Sequence, residues 1–117
     1  MTQLALAKVR QHFPRPKIDD VASVIAQQMQ RFAPHVRPGM KIAVTAGSRG
    51  INGITLVLKT VIETLKTMGA KPFLVAAMGS HGGGTVEGQA HVLSHLGISE
   101  ETIGAPLHIT SEAVAVG

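Results

Sequence analysis

The chain has 117 residues, with 11 Lys and Arg against 7 Asp and Glu, six histidines, no cysteine and three aromatic rings. That length suits one domain with room for a core, and 44% apolar against 15% charged residues excludes a disordered chain. The lack of cysteine excludes a disulfide framework, thiolate metal sites, iron–sulfur clusters and a cysteine nucleophile. A formal charge of +4 favours anionic partners. Nucleic acid is not expected among them, because the basic residues form no cluster of three and Phe13, Phe32 and Phe73 are the only rings for stacking.

Residues 1–17 read as an extended N-terminal arm. The apolar start Leu4-Ala5-Leu6-Ala7 is broken by Lys8 and Arg10, which is not the pattern of a secretory leader. No stretch approaches the roughly 18 apolar residues of a membrane helix, so the expectation is a cytoplasmic protein without membrane contact. Phe13-Pro14-Arg15-Pro16 is held extended, since proline bars helix for the residue before it. Residues 18–117 read as one domain. Asp19 or Asp20 caps a first helix with Val21, Val24, Ile25, Met29 and Phe32 on one face, stopped at Pro34 and Pro38-Gly39.

Lys41 to Ala46 reads as a short buried strand. A helix follows, with Ile54, Leu58, Val61, Leu65 and Met68 at helical spacing, ending at Gly69-Ala70-Lys71-Pro72. Phe73 to Met78 is the second strand, a helix carrying Val86, Ala90, Leu93 and Leu96 comes next, and Pro106 to Thr110 is the third strand. The order α-β-α-β-α-β, with strands apolar throughout, predicts a Rossmann-like α/β fold of three layers: a small parallel sheet covered on both faces. Right-handed crossovers then put both strand-to-helix loops on one edge.

Those loops echo each other. Gly47-Ser48-Arg49-Gly50 follows the first strand and Gly79-Ser80-His81-Gly82 follows the second. Glycine allows a ligand close to the backbone, and the helix start behind each loop offers unpaired N–H groups with partial positive charge. Hydroxyls from Ser48, Ser80 and Thr85 complete what reads as an anion cradle at the carboxyl edge of the sheet. Neither loop has the spacing of a dinucleotide fingerprint or a P-loop. The run Gly82-Gly83-Gly84 exceeds what a plain turn needs. His81 is the candidate proton acceptor, because imidazole titrates near neutral pH. The Arg49 guanidinium has no acidic neighbour in its loop and suits a carboxylate or phosphate. His91 and His95, at i and i+4, lack a third ligand, so no metal site is expected from the chain's own residues.

Thr45-Ala46-Gly47-Ser48-Arg49-Gly50 and Ala77-Met78-Gly79-Ser80-His81-Gly82-Gly83-Gly84-Thr85-Val86-Glu87-Gly88-Gln89 resemble the nickel-dependent lactate racemase family, in the front part of its N-terminal domain, over residues 38–111. The resemblance implies a Rossmann-like domain facing a second domain, with a nickel-pincer nucleotide in the cleft and a 2-hydroxy acid racemised or epimerised by hydride removal from C2. It implies a catalytic acid/base role for His81. It implies cofactor or substrate contact for Ser48, Arg49, Gly50, Gly79, Ser80, Gly82, Gly83 and Thr85. Ala46 stands where the family loop has Asp, and the family's tethering lysine and nickel-ligand histidine lie further along than this sequence reaches. The expectation is therefore the N-terminal part of an isomerase, inactive as this chain alone. The alternative is a small non-catalytic module that binds an anion or nucleotide as a homo-oligomer.

Overall fold

The computed structural model describes residues 3–47 and 50–116. Residues 3–19 carry no regular structure, and Leu4, Leu6, Val9 and Phe13 in this arm are exposed. Helix α1 (Val21–Met29) opens at Asp20, whose carboxylate accepts from the Ser23 N–H at 3.0 Å, and runs on as a 3-10 turn over Gln30–His35. Strand β1 (Lys41–Ala46) leads through the first loop into α2 (Ile54–Thr67), followed by β2 (Lys71–Ala76). A 3-10 turn at His81–Gly84 precedes α3 (Val86–His95), then come α4 (Glu100–Ile103) and β3 (Leu107–His108).

The three strands are parallel in the order β1-β2-β3, which is the expected α/β sheet with helices between its strands. The second strand lies two residues earlier than its apolar run predicts. Lys71 pairs with Lys41, and Met78 leaves the strand to join the core. Pro72 sits inside β2, where a donor is normally needed. The Lys71 N–H bonds to Met40 on the β1 side, while the Leu74 N–H bonds to Pro106 on the β3 side. Alternation therefore aims the position of the missing Pro72 proton at the β3 side. Pairing with β3 begins only at Leu74.

Every core side chain lies on one face of this sheet. Val44 and Ala46, Leu74 and Ala76, and Leu107 and Ile109 face Ile54, Leu58 and Ile62 of α2, Leu93 of α3 and Ile103 of α4. The sheet is thus not covered on both faces. On its other side Ala43, Thr45 and His108 are exposed and Phe73 and Val75 only half-buried. Strands stepping in one direction through right-handed connections put both connections on the same side. The third layer, α1, packs on the outside of α2 instead. Thr60 and Thr64 are buried on α2, and their hydroxyls return to the Leu56 and Thr60 carbonyls at 2.8 and 2.7 Å.

The second crossover also differs from a single descending helix. The Thr55 hydroxyl, in the first turn of α2, donates to the Leu96 carbonyl at the end of α3 (3.1 Å), while Lys66, near the far end of α2, donates to the Gly104 carbonyl. Helix α3 therefore ends level with the start of α2, and residues 97–105 with α4 make the descent. A Ser99–Thr102 capping box opens α4, and Gly104 in the left-handed region ends it.

Candidate functional site

Both loops leave the sheet at its carboxyl edge, side by side. Ala46 pairs with Ala76, and the Ala77 N–H bonds to the Ala46 carbonyl at 3.0 Å. Ser48 and Arg49, the hydroxyl and the anion clamp of the first loop, lie outside the described residues. Gly47 is half-buried, and Gly50 is exposed with φ +67°. Gly53 is the N-cap of α2 in the left-handed region, with no side-chain cap and no acid in the first turn. Among the described residues no side chain caps the start of α2, whose N–H groups and partial positive charge suit an anion.

The start of α3 is occupied. Thr85 accepts from the Gly88 N–H at 3.0 Å, and Glu87 lies in the first turn, so cap and charge are both supplied internally. Of the two helix starts behind the expected anion cradle, that of α3 is capped from within and that of α2 is not, and the α2 start lies beside the glycine loop. Within that glycine loop the residues differ in purpose. A β-carbon on Gly82 would lie 2.6 Å from the Gly88 carbonyl carbon, so Gly82 is fixed by contact with α3. Gly83 and Gly84 meet nothing within 4 Å, and both have positive φ. Ser80 and Gly79 are exposed. Gln89, a residue to which sequence reasoning gave no role, is buried on α3, and its amide donates to the Gly79 carbonyl at 3.4 Å. It ties the loop down, and its only sequence signal is a polar residue on the apolar face of α3.

His81 is half-buried at the base of the loop, its N–H bonded to the Met78 carbonyl at 3.0 Å. Its Nδ1 atom is buried without a hydrogen-bond partner, which marks an unused donor or acceptor. The ring lines a cavity of about 240 Å³ with His91, Val92, His95 and Leu96. The His91 and His95 rings stand 5.5 Å apart and 23° from parallel. The i, i+4 spacing is what brings these two together, but their meeting with His81 follows from α3 folding back over the loop. Among the described residues no group of three side chains is placed to hold a metal ion. The site offers imidazoles, backbone amides and a helix start: groups that hold anions and exchange protons.

No protein-family model, curated protein or solved structure matches the chain.

Proposed function

We propose that this chain forms one wall of a cofactor-dependent isomerase site of the lactate racemase kind, acting on a small anionic 2-hydroxy acid. The observation that carries the reading is the loop pair at the carboxyl edge: the Gly-Ser-His-Gly-Gly-Gly-Thr loop beside the uncapped start of α2, with the buried, unpartnered Nδ1 of His81. In this role the loop backbone and the α2 start hold an anionic group. His81 takes or returns the substrate hydroxyl proton, a transfer that needs heavy atoms about 2.6–3.2 Å apart.

A nickel-pincer nucleotide, when bound, supplies the hydride acceptor. The residues present suit its anionic nucleotide part, through the glycine loop and the α2 start. Among the described residues they supply no ligand set for its metal. The same geometry serves the second reading, a non-catalytic module for an anion or nucleotide, and the internally capped start of α3 favours a single small anion in that case.

Titration with adenosine monophosphate, followed by amide NMR, tests the anion site. Saturable shifts are expected at residues 50–53 and 79–85, and shifts confined elsewhere would remove both readings. Turnover separates them. In the longest product of the reading frame, His81→Ala is expected to lower racemisation of a 2-hydroxy acid by roughly 10²–10⁴-fold. A nucleotide-binding protein with no isomerase activity, or a His81→Ala variant with unchanged turnover, overturns the catalytic role.

A further inference from the structure

A second cavity lies at the opposite edge of the sheet, away from both loops. It has a volume of about 490 Å³ and is lined by Lys41, Lys66, Lys71, Phe73, His108 and the backbone and rings around Pro72, Gly104 and Pro106. That volume is in the range of small-molecule sites, roughly 300–1,000 Å³. We infer that this cavity is a binding site for an organic anion with an aromatic or compact apolar body and a phosphate, sulfonate or carboxylate head.

Charge carries the first half of the inference. Lys41 and Lys71 are partners in the β1–β2 register, so two ammonium groups start from directly opposed positions on adjacent strands, an arrangement that costs stability unless an anion lies between them. Among the described residues no carboxylate lines the cavity. Among the described residues the ion pairs are Lys17–Asp19 and Lys59–Glu63, so neither Lys41 nor Lys71 has an acidic partner. Lys66 is already engaged with the Gly104 carbonyl, which leaves Lys41 and Lys71 as the anion-binding pair. His108 stands on the same wall and adds a ring N–H donor.

The floor carries the second half. Ala70 and Pro72 are buried, and Phe73 packs against His108 with ring centroids 4.8 Å apart at 43°. An inorganic ion would use the lysines and leave this apolar surface wet. A ligand with a ring or short apolar body covers it and places its head between the two ammonium groups.

Phenyl phosphate and inorganic phosphate are the probes, read by amide NMR at low ionic strength. Phenyl phosphate is expected to shift residues 70–74 and 104–108 saturably, with at least tenfold tighter apparent binding there than inorganic phosphate; that ratio corresponds to about 1.4 kcal/mol. Lys41→Gln and Lys71→Gln, both at exposed positions, are each expected to weaken phenyl phosphate at least fivefold while leaving adenosine monophosphate shifts at residues 79–85 unchanged. Phenyl phosphate shifts confined to residues 50–53 and 79–85, equal affinity for the two probes, or variants that bind like the parent would each overturn the inference. The two sites report on separate amides, so failure here is distinct from failure of the proposed isomerase site.

Discussion

At the scale of single residues, the glycine loop shows how far a run of identical letters divides by context. Three successive glycines are visible in the sequence as a demand for unusual backbone or close approach. Which glycine answers which demand depends on the meeting of residues 82 and 88 in space, and no local pattern encodes that. Gly82 has both a positive φ and the α3 backbone against it; Gly83 has the φ alone. An alanine in the left-handed region costs about 1–2 kcal/mol. Gly83→Ala should therefore lower stability by about that amount, whereas Gly82→Ala should cost more, because the loop must also separate from α3. Urea unfolding of the two variants checks the order, and equal losses would mean that the loop and α3 part freely. His81 was legible as a candidate from its place after the second strand. The cavity it shares with His91 and His95 was not, because the sequence does not show that α3 turns back over the loop.

Among the elements, apolar spacing identified the three principal helices and all three strands, while packing determined their edges. Helix α2 illustrates why: Ile54, Leu58 and Leu65 are buried as its spacing predicts, but Ile62 is fully buried where Val61 was expected, and Thr60 and Thr64 are buried under α1. A threonine face is readable as buried only when a neighbouring helix is known. Helix α4 escaped notice because its capping box closes with Thr102 rather than Glu or Gln. The start of α1 has a titration of its own. The Ser23 backbone N–H, and secondarily its side chain, hold the Asp20 carboxyl below its usual value of 3.8. A lowered folded-state value means that the cap contributes stability above the unfolded value and loses it as pH falls through the folded one. Amides of residues 21–29 should accordingly show an inflection below pH 3.8 that is missing in Asp20→Asn, whose amide caps without titrating. An inflection that persists in the variant would assign the acid response to another carboxyl.

The molecule as a whole is a one-sided sheet with an arm. Its radius of gyration is 19.4 Å and its long dimension 71 Å, whereas a compact chain of this length has a radius of about 13 Å. The exposed arm accounts for the excess, and no helix is long and apolar enough to cross a membrane among the described residues. A parallel sheet was legible from apolar strands; its bare second face was not, because coverage depends on the direction in which successive strands step. Strands β1 and β3 are both edges, and open edges invite pairing with another chain. Sedimentation velocity should show average mass rising with protein concentration, and Thr45→Lys on the exposed face of β1 should suppress the rise. A single species of monomer mass across the range would overturn this pairing.

Pro72 has a genetic consequence. The rung below Leu74 would need a donor at position 72 and another at position 106, and both are proline; the Gly104 carbonyl that would face position 72 is held by Lys66. The space left unzipped there is part of the lysine-lined cavity. A single-nucleotide change from proline to threonine, serine or alanine at either codon restores one donor and leaves the other missing. The opening is thus secured twice over, by prolines on facing strands, and outlasts the loss of either one.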